Sequence, residues 1–129
     1  MATQKQGASS PSDGGNARTA LAAHFTLGAG WGSSTFEVTA GSTDKRGELV
    51  ITCVAGAGLA QATATIVHAY DEWAAKPWAE VKCTNNNSLT AVHEFTVTQA
   101  ATTTTACTWT SQIIPVDTKV YTVRYRYRD

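Results

Sequence analysis

Three histidines, three cysteines and scattered carboxylates are the residues of this chain that acid–base or nucleophilic chemistry would use. Acyl transfer needs a Ser, Thr or Cys nucleophile beside a histidine, with a carboxylate that orients the imidazole. The histidines, His24, His68 and His93, stand singly, and the sequence contains neither a metalloprotease HExxH pattern nor a GxSxG turn. The sequence therefore favours structural histidines and predicts no catalytic residue.

The carboxylates and glycines suggest no other chemistry. Asp71 and Glu72 are adjacent, so a strand would direct them to opposite faces. Asp44 lies in the polar segment 41–47, where a short carboxylate is expected to cap a turn through backbone N–H groups. The glycine-rich run 28–32 lacks the lysine and the following helix that phosphate binding requires, so we expect a turn or a close-packing role.

The cysteines give no sign of a metal centre. Cys53, Cys83 and Cys107 lie far apart, are odd in number and lack CxxC spacing, which argues against a zinc site or a disulfide framework. We expect buried free thiols, as is usual in a protein made in a reducing cytoplasm. We predict no metal and no cofactor.

The tryptophans offer the aromatic surface that a saccharide site would use. Trp109 alternates with threonines and is expected in the core. Trp73 and Trp78 bracket Pro77 and form the one pair that we consider for an exposed binding loop. We favour packing or subunit contact for this pair, because aromatic residues supply much of the core and interface area of small β domains.

Short strands are the elements that would position these residues. A Thr-rich, Leu-poor composition favours strands, because β-branched side chains fit a pleated, half-buried surface. Turn residues and the non-strand segment 70–76 separate alternating or β-branched runs at 35–39, 48–54, 61–67, 78–83, 94–98, 105–110 and 119–128. This spacing is typical of a sandwich or barrel. The predicted fold is all-β, a jelly-roll-like antiparallel β-sandwich with an extended N-terminal arm.

The N-terminal residues differ in composition from the rest of the chain. They are polar and rich in Gly and Ser, and such a segment buries too little apolar surface to order itself. We predict a flexible docking arm over residues 1–19 and one β-sandwich domain over residues 20–129. The arm residues expected to contact a partner are Gln4, Lys5, Gln6, Pro11, Asn16 and Arg18.

Charge excludes two classes of partner. Ten basic and ten acidic residues give a formal net charge of zero, so neither nucleic acid nor an anionic membrane is an expected partner. Arg124, Arg126 and Arg128 alternate with apolar residues, so a strand would place all three on one face. We favour a solvated face of an edge strand over an RNA site. The sequence shows no transmembrane stretch and no signal peptide.

Five short segments share a pattern with a known family. They are GAGWG at 28–32, TAGSTDKRGELVIT at 39–52, ATATIV at 62–67, AAKPWAEV at 74–81 and IPVDTKVYTVRY at 114–125. Together they resemble a C-terminal β-domain that recurs in virion proteins of tailed bacteriophages. The resemblance implies a trimer-forming β-sandwich displayed on tail fibres, on tail tips or on the capsid.

The resemblance and the residues together predict a non-enzymatic virion structural protein. We expect a capsid decoration protein on the virion surface, assembled in the host cytoplasm and docked on the major capsid protein through its arm. The absence of collagen-like or heptad shaft repeats favours this role. The alternative is a minor tail or tail-tip protein whose sandwich binds a host receptor or carbohydrate. A small hydrolase has the least support.

Overall fold

The computed structural model describes residues 18–56, 58–60, 63–85, 92–96, 102–111 and 114–128. Short 3-10 turns occupy Ala22–His24 and Ala29–Trp31. The strands are β1 (Phe25–Leu27), β2 (Thr35–Val38), β3 (Arg46–Thr52), β4 (Thr65–Ala69), β5 (Trp78–Asn85), β6 (Val92–Thr96), β7 (Ala106–Ser111) and β8 (Val120–Arg128).

The strands form an antiparallel β-sandwich. Their hydrogen-bonded order is β1-β4-β7-β6-β5-β8-β3-β2, and β6 joins the two sheets because it pairs with β5 on one side and β7 on the other. The two antiparallel sheets pack together, so the predicted all-β sandwich is confirmed. The predicted extended arm up to residue 17 lies outside the described residues.

The predicted runs correspond to seven of the strands. The greatest shift is in β4, which begins at Thr65 rather than at residue 61. The segment 70–76 is non-strand, as predicted. The missed strand is β1, whose three residues, Phe25–Leu27, are too few to show an alternating pattern. Pairing with β4 gives this short segment the hydrogen bonds that hold it extended.

β8 is the central strand of its sheet. It pairs with β3 along seven positions and with β5 along eight, so the prediction of an edge strand is wrong. Tyr121, Val123, Tyr125 and Tyr127 alternate inward along it and are almost fully buried. An alternating strand of this length can bury one face against the other sheet while both of its edges are paired. Alternation in the sequence predicts which face of a strand each side chain occupies, but it does not predict whether the edges of that strand are paired.

Two glycines of the 28–32 run let the turn after β1 approach the following segments closely. A Cβ on Gly30 would lie 2.2 Å from the carbonyl oxygen of Ala60. Gly32 has a φ of 61°, a conformation that other residues rarely adopt. The predicted turn and close-packing role is confirmed.

Replacement of Gly30 should therefore disrupt packing. We expect Gly30→Ala to lower the free energy of unfolding by at least about 3 kcal/mol, because the added Cβ meets backbone that cannot rotate away. Gly41→Ala is the matched control, since its φ of 90° is strained but no atom lies within 4 Å of the added Cβ. The control should cost only about 1–2 kcal/mol. Equal losses in urea denaturation would contradict the close-packing role.

Candidate functional site

Asp44 is the carboxylate around which charged groups of the described chain gather. It lies between β2 and β3, and its side chain is fully buried. The expected turn-capping role of Asp44 is wrong. Thr43 supplies the cap instead, because its Oγ1 accepts from the backbone N–H groups of Lys45 and Arg46 at 3.2 and 3.3 Å. Asp44 is thereby available to residues that are distant in the sequence.

One oxygen of Asp44 accepts two hydrogen bonds. Arg18 Nε donates to Oδ2 at 2.7 Å, and the backbone N–H of Asp71 donates to the same atom at 2.9 Å. Arg18 Nη2 also donates to the carbonyl of Ala69 at 3.1 Å, and the Arg18 carbonyl accepts from the Asp44 N–H at 2.8 Å. Hydrogen bonds to a charged group are roughly twice as strong as neutral ones. This carboxylate therefore connects three separate stretches of the chain.

The other oxygen of Asp44 faces a row of buried polar groups formed by His68, Tyr127 and Trp109. Oδ1 lies 3.4 Å from Nε2 of His68, which is longer than a well-formed hydrogen bond. On its other side, His68 Nδ1 lies 3.0 Å from the Tyr127 hydroxyl, and the Trp109 indole N–H donates to that hydroxyl at 3.0 Å. A phenol has one proton to donate, so Tyr127 donates to Nδ1 while its oxygen accepts from Trp109. Neutral His68 then carries its proton on Nε2, facing Asp44.

Burial and hydrogen bonding set the protonation states of this chain. Burial raises the pKa of Asp44, but the facing His68 imidazole and the hydrogen bonds from the Asp71 N–H and Arg18 outweigh burial and hold that pKa below its usual value. Burial lowers the pKa of His68 by more than the neighbouring carboxylate raises it. Burial also raises the pKa of Tyr127 well above its usual range. At neutral pH the group is a charged carboxylate, a neutral imidazole and a protonated phenol.

The residue types match the carboxylate–histidine–hydroxyl relay of acyl-transfer enzymes, but the surroundings do not. Tyr127 is 3% exposed, and the Phe25 ring stacks on the His68 imidazole with ring centroids 4.2 Å apart. Further aromatic rings surround the imidazole: Tyr70, Trp109 and Tyr125. A nucleophile must reach its substrate, and its hydroxyl must be activated by a lowered pKa or by a base. This relay is packed among core rings, and its Tyr127 hydroxyl satisfies the buried Nδ1 of His68 and the indole N–H of Trp109.

His68 does not stand singly as its sequence position suggests, because its Nε2 faces Asp44 Oδ1 in the folded chain. Asp44 and His68 are separated by 24 positions, and β4 and the β2–β3 loop meet only in the folded chain. No local pattern could have signalled their contact. His24 accepts a hydrogen bond from the Leu21 N–H at 3.0 Å, and its Nδ1 lies 4.0 Å from Asp44 Oδ1. The side chain of His93 lies outside the described residues.

The structure separates the predicted tryptophan pair. Trp73 is 1% exposed, its ring lies against Tyr70, and the Lys45 ammonium is 5.7 Å from its ring centroid. Burial of Trp73 agrees with the packing role that we favoured for the pair and removes this residue from the candidate exposed loop, because the β4–β5 loop places its ring in the core. Trp78 begins β5 and is 61% exposed. Saccharide binding stays a prediction, with Trp78 as the accessible member of the pair.

The predicted docking arm meets the sandwich at Arg18. Thr19 forms an isolated bridge with Thr43, and the Ala20 N–H donates to the Ser42 carbonyl at 3.0 Å. Pairing with the domain therefore starts inside the segment 1–19 that was predicted to be an arm. The other predicted docking residues lie outside the described residues: Gln4, Lys5, Gln6, Pro11 and Asn16. The docking role itself stays a prediction.

The three arginines of β8 share one exposed face, as predicted. Arg124 Nε lies 2.9 Å from Glu48, and Arg126 and Arg128 lie 3.1 and 2.6 Å from Glu80. Exposed ion pairs contribute only about 0–1 kcal/mol each. A shallow groove of about 340 Å³ on this face is lined by both signs of charge: Glu80, Lys82, Thr84, Thr122, Arg124, Tyr125 and Arg126. The face is a mixed-charge surface rather than a uniformly basic one.

The cysteines are free and buried, as predicted. Burial raises the pKa of the Cys83 thiol to about 12, and it also raises the pKa values of Cys53 and Cys107. Within the described ranges, no group of three or more His, Cys, Asp or Glu residues could hold a metal ion. None of the helical segments described there has the length and apolar character of a membrane span.

Comparisons with known proteins add no relative. No family model matches this chain, and neither a curated protein nor a solved structure shows significant similarity to it. The resemblance to the phage virion β-domain therefore stays a prediction that rests on the five segments named above.

Acid should destabilise the folded chain through His68. Its folded pKa is below the unfolded value of about 6.5, so at intermediate pH the unfolded chain binds the extra proton. We expect the free energy of unfolding to decrease below about pH 6.5, by at most about 1.4 kcal/mol per pH unit for this group.

Urea denaturation at stepped pH measures this effect. In His68→Gln the decrease should be smaller, because glutamine does not titrate. An unchanged profile in His68→Gln would show that His68 binds its proton equally in both states.

Removal of the Tyr127 hydroxyl should leave two buried polar groups without a hydrogen bond. Tyr127→Phe leaves the Trp109 N–H and His68 Nδ1 without this hydrogen bond, so we expect a loss of about 1–3 kcal/mol in thermal or urea unfolding. Tyr121→Phe is the control, because its part-buried hydroxyl accepts a bond from the N–H of the exposed Val116 at 2.9 Å and, among the described residues, has no buried side-chain partner. The free energy of unfolding should decrease less in Tyr121→Phe than in Tyr127→Phe. A larger decrease in Tyr121→Phe would contradict the importance of the Tyr127 hydrogen bonds to His68 and Trp109.

Proposed function

We propose that this chain is a non-enzymatic structural protein of a bacteriophage virion, and that it decorates the capsid surface. The observation that carries the proposal is the burial of the catalytic-type relay found among the described residues. Asp44, His68 and Tyr127 have the residue types for chemistry, but core aromatic rings enclose them. The described surface instead carries exposed ion pairs on a paired sheet, which suits a rigid protein that binds and does not turn over substrate.

The attachment of Arg18 supports docking through the segment before it. Arg18 is joined to Asp44 through its backbone carbonyl and its guanidinium, and to Ala69 through a further hydrogen bond. A partner that binds residues 1–17 would thus be coupled to the core and not to a loosely attached strand. Segments that fold on binding can wrap a large surface, and many copies on a lattice add avidity. The proposed partner is the major capsid protein, with the chain itself as a trimer.

A minor tail or tail-tip protein is the second candidate, since the resemblance covers both places. Carbohydrate binding by this candidate would use Trp73 and Trp78. Of these two residues, Trp73 is buried and Trp78 is accessible. Capsid decoration does not depend on that pair, so we place it first.

The location of the protein in intact virions tests the proposal. Particles that carry a labelled copy should show label spread over the head when imaged at a resolution that separates head from tail. Label confined to the tail would overturn decoration in favour of the second candidate. Absence from particles would overturn both.

A second test addresses the arm. Deletion of residues 1–17, with Arg18 retained, should leave a folded domain with at least about tenfold weaker loading onto particles, since the Arg18–Asp44 anchor remains while the binding segment is gone. The control replaces residues 1–17 by a Gly/Ser segment of equal length, which should load as poorly as the deletion. Normal loading by either variant would refute docking through the arm.

A further inference from the structure

We infer that one end of the sandwich is a docking surface for an acidic protein patch with an apolar pocket. The docking end is defined by Leu21, Trp78, Arg126 and Arg128. This inference rests on the proposed function and names the face that would meet the virion shell.

Strand register places these residues at the same end. Trp78 is the first residue of β5 and pairs with Arg128 near the end of β8, while Arg126 pairs with Arg46 at the start of β3. The loop that precedes Arg46 carries Thr43 and Asp44, to which residues 18 and 19 are attached. Leu21 follows two residues later. The place where the described chain begins and the last residues of β8 are therefore at one end of the molecule.

This end carries the most exposed tryptophan and leucine side chains of the described residues. Trp78 is 61% exposed and Leu21 is 55% exposed. Isolated exposed apolar residues are common on protein surfaces, so exposure alone would not identify an interface. Tryptophan is nevertheless the residue type most enriched among those that dominate binding energy, and it does so by filling a partner's pocket.

The charge beside Trp78 indicates the chemistry of the partner. Arg126 Nη2 and Arg128 Nη2 lie 3.1 and 2.6 Å from the two oxygens of Glu80. Two guanidinium groups share one carboxylate, so this cluster has a net positive charge, and the arginine side chains are 53% and 62% exposed. Complementary charge favours encounter and suppresses wrong partners. A partner patch with carboxylates around an apolar pocket would fit both the tryptophan and the arginines.

The position of Arg18 supplies an independent argument for this end. The described chain begins at Arg18, which is bonded to Asp44 at the docking end, so the segment before Arg18 connects to the domain there. A partner that binds that segment is held close to Trp78 and Arg128, at a high effective concentration. The apolar residues at the opposite end, Ile114 among them, lie away from this attachment and should not contact that partner.

Particle loading of full-length variants tests the inference. The probe is virions stripped of this protein, titrated with purified labelled chain. We expect Trp78→Ala to weaken loading at least tenfold and Arg128→Glu to weaken it with a reduced or reversed salt dependence. The matched control Ile114→Ala, with 57% exposure at the opposite end, should stay within twofold of wild type. Circular dichroism and the melting temperature should show that all three variants are folded.

The outcomes separate the inference from the proposed function. If wild type loads onto the head and Trp78→Ala loads equally well, or Ile114→Ala loses as much, the docking end is wrong and decoration stands. If wild type does not load onto the head, both the docking end and the proposed capsid decoration are wrong. A glycan-array signal that Trp78→Ala abolishes, or self-association that it disrupts, would overturn a capsid patch as the occupant of this end.

Discussion

The buried negative charge of Asp44 is the constraint around which one end of the molecule is organised. A carboxylate removed from water is unfavourable by several kcal/mol unless donors and positive charge compensate it. The compensation comes from Arg18, from the backbone of Asp71 and from the facing imidazole of His68. These groups belong to the segment before β1, to β4 and to the loop after it. The chain can satisfy the charge only when all three are in place, so the ion pair couples the start of the domain to its core.

The same constraint reaches across the sandwich. His68 lies on β4 and Trp109 on β7 in one sheet, while Tyr127 lies on β8 in the other, so their hydrogen bonds cross the core. Aromatic rings fill the space around these bonds and exclude water. In such surroundings a satisfied hydrogen-bond chain is strong and an unsatisfied member is costly, which favours one relative placement of the two sheets. A relay that resembles catalytic machinery by residue type is, by position, part of the packing.

The proposed role on a virion agrees with this division of the molecule. Asp44, His68 and Tyr127 lie inside, and the surface of the described residues presents paired charges and a few apolar side chains such as Trp78. Arg18 connects the two, because it is bonded to the buried carboxylate while its side chain is 34% exposed. A segment that binds a lattice gains from such an anchor, since partner contacts are then transmitted to the core.

The sequence by itself determined the fold class, most of the strands, the alternation of β8 and the burial of the cysteines and Trp109. These follow from local patterns, because side chains alternate across a strand and β-branched residues favour extended backbone. The three-residue β1 was not predicted, because it is too short to show an alternating pattern. The central place of β8, the burial of Trp73 and the Asp44–His68 contact were decided only by the tertiary structure. Each depends on which strands and loops become neighbours, and pairings between residues far apart in sequence leave no local trace in a single chain.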